Sequence, residues 1–265
     1  MSVRSLRASV LAFVMGAAAV LGMAQPASAA GHNYVALGDS YSSGVGAGSY
    51  TSESGDCRRS TKAYPQLWAA ANAPSSFRFV ACSGATTSSV SSGQLGALNA
   101  STTLVSVTAG GNDMGFADVM QACVLQSEAT CVSRVNSAIS LMNSSLPGKL
   151  DTMYANIRSR APQARVVVLG YPRFYKLSGS CIAGLTETER GAINNASDVM
   201  NGVIAKRAAN SGFAFSSVVD EFTGHEICSG DAWLHSVDWL NISNSYHPKA
   251  IGQSSGYLPA FRTSV

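Results

Sequence analysis

The sequence predicts an α/β fold, in which a sheet of about five parallel strands is covered by helices on both faces. Two observations support this fold class. Short apolar runs of strand length alternate with longer stretches of helical character, and small or polar turn residues follow most of the runs. No linker, composition shift or repeat divides the chain after residue 30, so we expect one domain over residues 31–265.

Five runs have the length and composition of strands, and the first of them leads into the most informative segment of the chain. Gly38 and Asp39 are turn residues, which places Ser40 at the carboxyl end of that first strand. In an open parallel sheet, this edge is where ligand crevices form. The five runs span residues 34–37, 77–81, 104–108, 166–169 and 213–219.

The stretches between these runs indicate helices. A break is expected at Pro147-Gly148, and Thr186 supplies an N-terminal cap ahead of acidic residues. Residues 44–49 are interpreted as a loop beside the site, because they lack the spacing of a dinucleotide-binding turn. The predicted helices span residues 63–71, 131–160 and 186–210, with a short final helix from about residue 250.

Residues 1–30 are predicted to be a secretory signal peptide. Arg4 and Arg7 precede an apolar stretch over residues 8–23, and a small-residue cleavage signal follows, so cleavage is expected after Ala29 or Ala30. A membrane anchor is the alternative, but the apolar run is short for a span and no positive stop-transfer cluster follows it. We therefore expect a secreted protein without a stable membrane anchor.

The charge of the chain argues against a nucleic-acid partner. Removal of Arg4 and Arg7, the only charged residues of the signal segment, lowers the formal net charge from +3 to +1. No basic stripe remains to bind a phosphate backbone. Charged residues make up 12% of the chain and apolar residues 46%, which favours a compact domain over disorder.

Cysteine usage predicts three disulfides and no metal site. The six cysteines are even in number and lie in a chain expected to reach an oxidising compartment. Six cysteines allow fifteen pairings, among which the sequence alone does not choose, although pairing between neighbours is the simplest. No C-x-x-C occurs and the four histidines lack zinc-type spacing, so no metal is expected.

Small or polar residues that follow three of the strands are suited to acyl transfer. Ser40 offers a hydroxyl and a main-chain N–H, Gly84 an unobstructed N–H, and Asn112 a side-chain amide. A tetrahedral intermediate needs two or three such donors around its oxyanion. His247, held in a loop by the following proline, is a candidate base for the Ser40 proton.

Each of these residues alone has an ordinary structural interpretation. Gly84 fits a turn, Asn112 a helix cap, and His247 a surface loop. Their combination, in this order and at strand ends, instead indicates a catalytic site. A second serine motif, G-x-S-x-G at residues 252–256, is interpreted as a chance match, because no strand precedes it and no histidine follows it.

Four blocks together make the chain resemble the SGNH or GDSL hydrolases. This resemblance implies a flavodoxin-like, three-layer α/β/α fold without metal or cofactor. It also implies that Ser40 is the nucleophile, that His247 is the base, and that Ser40 N–H, Gly84 N–H and Asn112 form the oxyanion hole. The blocks are Gly38–Gly44, Cys82–Thr86, Gly110–Asp113 and His247-Pro248.

The cysteine framework is similar to that of secreted actinomycete lipases, esterases and phospholipases A1 in this family. We pair neighbouring cysteines, which predicts the disulfides Cys57–Cys82, Cys123–Cys131 and Cys181–Cys228.

The chain departs from the family pattern at one position. Asn244 stands three residues before His247, where the family commonly has Asp. A main-chain carbonyl of the loop containing Asn244 and Ser245 is then the expected partner of the imidazole, which gives a Ser-His dyad. Asp220, Asp231 and Asp238 remain alternative carboxylate partners.

The predicted function is that of a secreted carboxylic-ester hydrolase, a lipase or long-chain esterase. Phospholipase A1 and carbohydrate deacetylase are the alternatives, and a non-catalytic binding module is a remote one. We expect a monomer that needs no cofactor and acts on a lipid or other acyl ester. Four apolar residues are candidates for the wall of an acyl site, although they fit a core equally well: Trp233, Leu234, Trp239 and Leu240.

Overall fold

Five parallel strands form a single sheet in the computed structural model, which describes residues 31–181 and 184–265. The predicted signal segment lies outside the described residues. The strands are β1 (Asn33–Gly38), β2 (Ser76–Phe79), β3 (Leu104–Thr108), β4 (Arg165–Leu169) and β5 (Ala214–Ser216). Their spatial order, β2-β1-β3-β4-β5, is the flavodoxin-like order.

The central strands are buried along nearly their whole length. Parallel strands covered on both faces are continuously apolar rather than alternating, which is why these runs were recognisable in the sequence. The last strand is shorter than predicted, because Ser217 Oγ accepts a hydrogen bond from Val219 N (3.2 Å) and the chain turns there.

Nine helices are present in the described part of the chain. They are α1 (Ser40–Ser43), α2 (Tyr64–Asn72), α3 (Thr87–Ser89), α4 (Phe116–Leu125), α5 (Glu128–Ser144), α6 (Leu146–Arg160), α7 (Glu187–Asn210), α8 (Val219–Phe222) and α9 (Leu258–Arg262). The helices α4 to α7 pack in succession as one layer, while α2 packs with α9 in the other. The three-layer α/β/α fold is therefore confirmed. None of these helices combines the length and apolar composition needed to cross a bilayer.

Two helical features differ from the prediction. The break in the 131–160 region falls at Ser145, because Pro147 sits in the first turn of α6, where a missing N–H costs nothing. Helix α4, which the sequence analysis did not predict, begins after Gly115 without a side-chain cap.

Three disulfides join the pairs predicted from sequence: Cys57–Cys82, Cys123–Cys131 and Cys181–Cys228. The first links the chain after α1 to the turn that follows β2. The second connects α4 to the first turn of α5. Both therefore lie in segments that lead to the carboxyl edge of the sheet.

The G-x-S-x-G motif has a structural role. It lies in a π-helical turn, Gly252–Tyr257, that precedes α9. Ser254 is exposed, whereas the side chain of Gln253 is buried and binds the main chain at Tyr64 N (2.9 Å) and Tyr41 O (3.0 Å). The motif therefore anchors helices α1 and α2 and contributes no nucleophile.

Candidate active site

A cavity of about 560 Å³ opens at the carboxyl edge of the sheet. Ser40, Gly84, Asn112 and His247 all line it. The register explains part of this convergence, because Gly38 at the end of β1 lies beside Thr108 at the end of β3. The sequence-predicted site residues are thus brought together in the structure.

Ser40 begins α1 immediately after β1. The preceding turn requires glycine at position 38, where φ is +121° and a Cβ would lie 2.4 Å from Thr108 O. Gln94 completes the turn by accepting a hydrogen bond from Gly38 N (2.7 Å) and donating one to Gly38 O (2.8 Å). His247 Nε2 lies 2.8 Å from Ser40 Oγ, a distance suited to proton transfer.

Three donors face the same cavity. The N–H groups of Ser40 and Gly84 donate to no acceptor within the described residues. Gly84 has φ of +75°, a conformation that favours glycine whatever the space around it. Asn112 uses one amide hydrogen on Ala85 O (3.0 Å), which leaves its second hydrogen for a ligand.

The two loops that carry Gly84 and Asn112 are connected by a carboxylate. Asp113 accepts hydrogen bonds from Thr87 N (2.9 Å) and Thr87 Oγ1 (2.7 Å). Since Asp113 adjoins Asn112, and Thr87 lies three residues after Gly84, this contact links two of the donors that line the cavity.

The carboxylate of Asp39, the residue before Ser40, is buried. Its Oδ1 accepts hydrogen bonds from Tyr41 N (3.0 Å) and Thr108 Oγ1 (2.8 Å), and its Oδ2 accepts one from Tyr171 OH (2.5 Å). Burial raises the pKa of Asp39 to about 6, and the hydrogen bonds oppose that rise. The carboxylate is therefore ionised at neutral pH.

Tyr171 joins the loop that carries Ser40 to the loop that carries Asn112. Its hydroxyl donates to Asp39 and accepts a hydrogen bond from Gly111 N (3.2 Å). Asp39 precedes Ser40, and Gly111 precedes Asn112, so one phenol positions both. Sequence reasoning missed this residue, and its one signal is its place directly after β4, in the turn Gly170-Tyr171-Pro172.

The imidazole of His247 is held in its neutral form. Burial lowers its pKa to about 4, the main chain of Ser245 opposes this shift, and the nearby charge of Arg58 adds to it. The His247 loop is fixed by His247 N, which donates to Asn244 O (3.0 Å), and by Tyr41 OH, which donates to Tyr246 O (2.7 Å).

The second imidazole nitrogen of His247, Nδ1, makes no hydrogen bond with the side chain of any of its predicted partners. His247 Nδ1 is buried and has no well-aligned acceptor among the described residues, although main-chain groups of Ser245 and Asn244 are close enough to raise its pKa. The Asn244 side chain instead accepts from Arg58 (2.8 Å). Asp231 lies beside His225, and Asp238 caps the N–H of Leu240.

The four residues predicted as an acyl wall lie in different environments in the structure. Trp239 lines the cavity and is 69% exposed, whereas Leu234 is buried in the core. Trp233 packs against the core and stacks on His225, and Leu240 is exposed to solvent. Helix α4 supplies the wall that the sequence did not reveal, through Phe116, Met120 and Val124 on one face.

Comparison with known proteins agrees with this geometry. Residues 36–254 match the model of the GDSL-like lipase/acylhydrolase family. The chain belongs to that family. It is 64% identical over 242 residues to Lipase 1 of Streptomyces coelicolor, with 91% of this chain and 89% of the relative covered.

Two solved structures are also similar to this GDSL-family chain. Phospholipase A1 of Streptomyces albidoflavus is 66% identical with a TM-score of 0.88, over 89% of this chain and 100% of that one. The extracellular lipase of Streptomyces rimosus is 58% identical with a TM-score of 0.87, over 88% and 100%. The chain is therefore a serine ester hydrolase.

Within its described residues, no three His, Cys, Asp or Glu side chains gather in a way that suits a metal ion.

Tyr171→Phe tests the positioning role of the phenol in this GDSL-family site. Loss of a hydrogen bond to a charged group loosens both loops, so kcat should fall about tenfold with little change in KM. The phenol also lowers the pKa of Asp39, so any inflection of the rate near pH 6 should move to higher pH. Steady-state kinetics over pH 4–9 measure both effects.

Tyr154→Phe is the matched control, because the Tyr154 hydroxyl is buried without a partner among the described residues. If both variants lose stability equally and neither changes kcat or the pH profile, Tyr171 is only a packing residue.

The pKa of His247 can be measured directly. The imidazole should stay neutral from pH 7 down to about pH 5 and take up a proton near pH 4, because burial disfavours its charged form. NMR of the imidazole nitrogens reports this titration, with His247→Asn assigning the signal. A midpoint near 6.5, the ordinary histidine value, would contradict the described environment.

Proposed function

We propose that this chain is a secreted lipase that cleaves long-chain acyl esters through an acyl-enzyme on Ser40. The observation that carries this proposal is the 2.8 Å contact between Ser40 Oγ and His247 Nε2 at the wall of a cavity lined mainly by apolar side chains. An apolar cavity suits an acyl chain, and the polar groups are concentrated at the one place where the ester bond reacts.

The proposed reaction follows from the positions of these groups. Ser40 Oγ attacks the ester carbonyl carbon and its proton passes to His247 Nε2. The carbonyl oxygen becomes an oxyanion, which accepts hydrogen bonds from Ser40 N–H, Gly84 N–H and the Asn112 amide. The imidazolium gives its proton to the departing alcohol. Water, deprotonated by His247, then attacks the acyl carbon. The bond to Ser40 Oγ breaks, His247 returns the proton to Ser40, and the fatty acid leaves.

Phospholipase A1 activity is the second candidate function. The 66% identity to the Streptomyces albidoflavus structure, which carries that name, favours it. The two activities share the acyl-transfer step and differ in the alcohol that leaves, so one site serves both.

We also propose that residues 1–30 direct export and are removed after Ala29 or Ala30, leaving residues 31–265 as one monomeric catalytic domain. Three disulfides within the described residues suit an oxidising compartment. The Streptomyces rimosus relative is described as extracellular, which supports the same location.

Ser40→Ala tests the proposed nucleophile. The purified wild-type protein should be labelled on Ser40 by a fluorophosphonate, and Ser40→Ala should lose both labelling and ester hydrolysis. Ser254→Ala is the control, since that serine is exposed and belongs to the other serine motif. Retained labelling in Ser40→Ala would reject the mechanism. Triglycerides and phosphatidylcholine, assayed in parallel, decide between lipase and phospholipase A1.

Asn112→Ala tests the oxyanion hole. Loss of one preorganised donor should lower kcat about 10²–10³-fold. Kinetics on a p-nitrophenyl ester measure this loss, and Asn195→Ala, at an exposed position of α7 outside the cavity lining, serves as control. If Asn112 is only a structural residue, kcat will be unchanged and only the melting temperature will fall.

A further inference from the structure

A second, smaller cavity of about 50 Å³ lies behind the wall of the catalytic cavity. Residues of α4, α5 and α7 line it, and we call it the inner cavity. Its lining includes Met114, Val135, Ala138, Met142, Ile193 and Ala196.

The two cavities share one wall. Gly111, Phe116, Met120 and Phe174 line both of them. Phe116 and Phe174 are stacked with ring centroids 5.1 Å apart, so each ring packs against the other in the shared wall. Met120 is buried, and its unbranched thioether side chain is the flexible member of the wall.

The side chains that line the inner cavity determine which groups it can bind. No charged side chain lines it. The hydroxyl hydrogen of Ser197 is already used in a hydrogen bond to Pro172 O (2.7 Å) and is not available to a ligand. An apolar lining of this kind favours apolar groups over polar ones. Since about 10–15 Å³ already admits one water molecule, 50 Å³ has room for a few methylene groups.

We propose that the inner cavity receives the methyl end of a long acyl chain when the Met120 side chain rotates aside. The inference rests on the proposed function, because it needs an acyl ester bound at Ser40. Met120 then sets the preference for chain length: it closes the site behind short chains and yields to long ones. The inner cavity is thus an extension of the acyl site, within the layer formed by α4, α5 and α7.

Ala138→Leu fills the inner cavity from α5, at a residue that does not line the catalytic cavity. The quantity measured is the ratio of kcat/KM for p-nitrophenyl palmitate to that for p-nitrophenyl butyrate. Each methylene group kept out of an apolar site costs about fourfold, so the ratio should fall at least about tenfold. Ala155→Leu, the same change at an exposed position of α6, is the control and should keep the wild-type ratio.

Met120→Ala makes the opposite change. It removes the flexible part of the shared wall, so the same ratio should rise. Ala196→Leu fills the inner cavity from α7 and replaces Ala138→Leu if that variant does not fold. An unchanged ratio in the filling variants and in Met120→Ala overturns the proposal, even when the wild type hydrolyses both esters. A wild type that hydrolyses neither ester would instead reject the proposed function.

Discussion

The carboxylate of Asp39 is the interaction on which the rest of the site depends. It caps α1 through Tyr41 N, reaches the end of β3 through Thr108 Oγ1, and binds the turn after β4 through Tyr171 OH. Three strand ends are thereby held around one buried charge. The hydrogen bonds offset the cost of burying that charge, and loss of the carboxylate would leave several buried donors without an acceptor.

The sequence predicted the parts of this arrangement that local chemistry specifies. Continuous apolar runs indicated the central strands, and turn residues such as Gly38 placed Ser40 at the sheet edge. Gln94 and Tyr171 were not predictable in the same way. They lie 56 and 132 positions from the residues they hold, and no local pattern encodes a contact over such a distance. Helix α4 was missed because Gly115, which precedes it, offers no side-chain cap.

The departure at position 244 also has a structural consequence. Arg58 donates to the Asn244 side chain and lies over the ring of Tyr50, 4.5 Å from its centroid. Asn244 is thus part of the support for the histidine loop and does not reach the imidazole through its amide. A neutral residue here leaves the positive charge of Arg58 free to disfavour protonation of His247. An uncharged Asn at this position therefore affects the electrostatics of His247 as well as the hydrogen bonds of its loop.

In the proposed mechanism, the low pKa of His247 makes it a weak proton acceptor, so the other groups of the site must contribute more to catalysis. General-base catalysis is most effective when the pKa lies near the working pH. In that mechanism His247 is neutral at pH 7 and can accept the serine proton, but little free energy is gained when it does so. The proposed oxyanion donors must therefore supply more of the stabilisation, and they do so best when water is excluded. An acyl chain that fills the apolar cavity would exclude that water itself, so we expect the length of the bound chain to affect the rate of the chemical step as well as affinity.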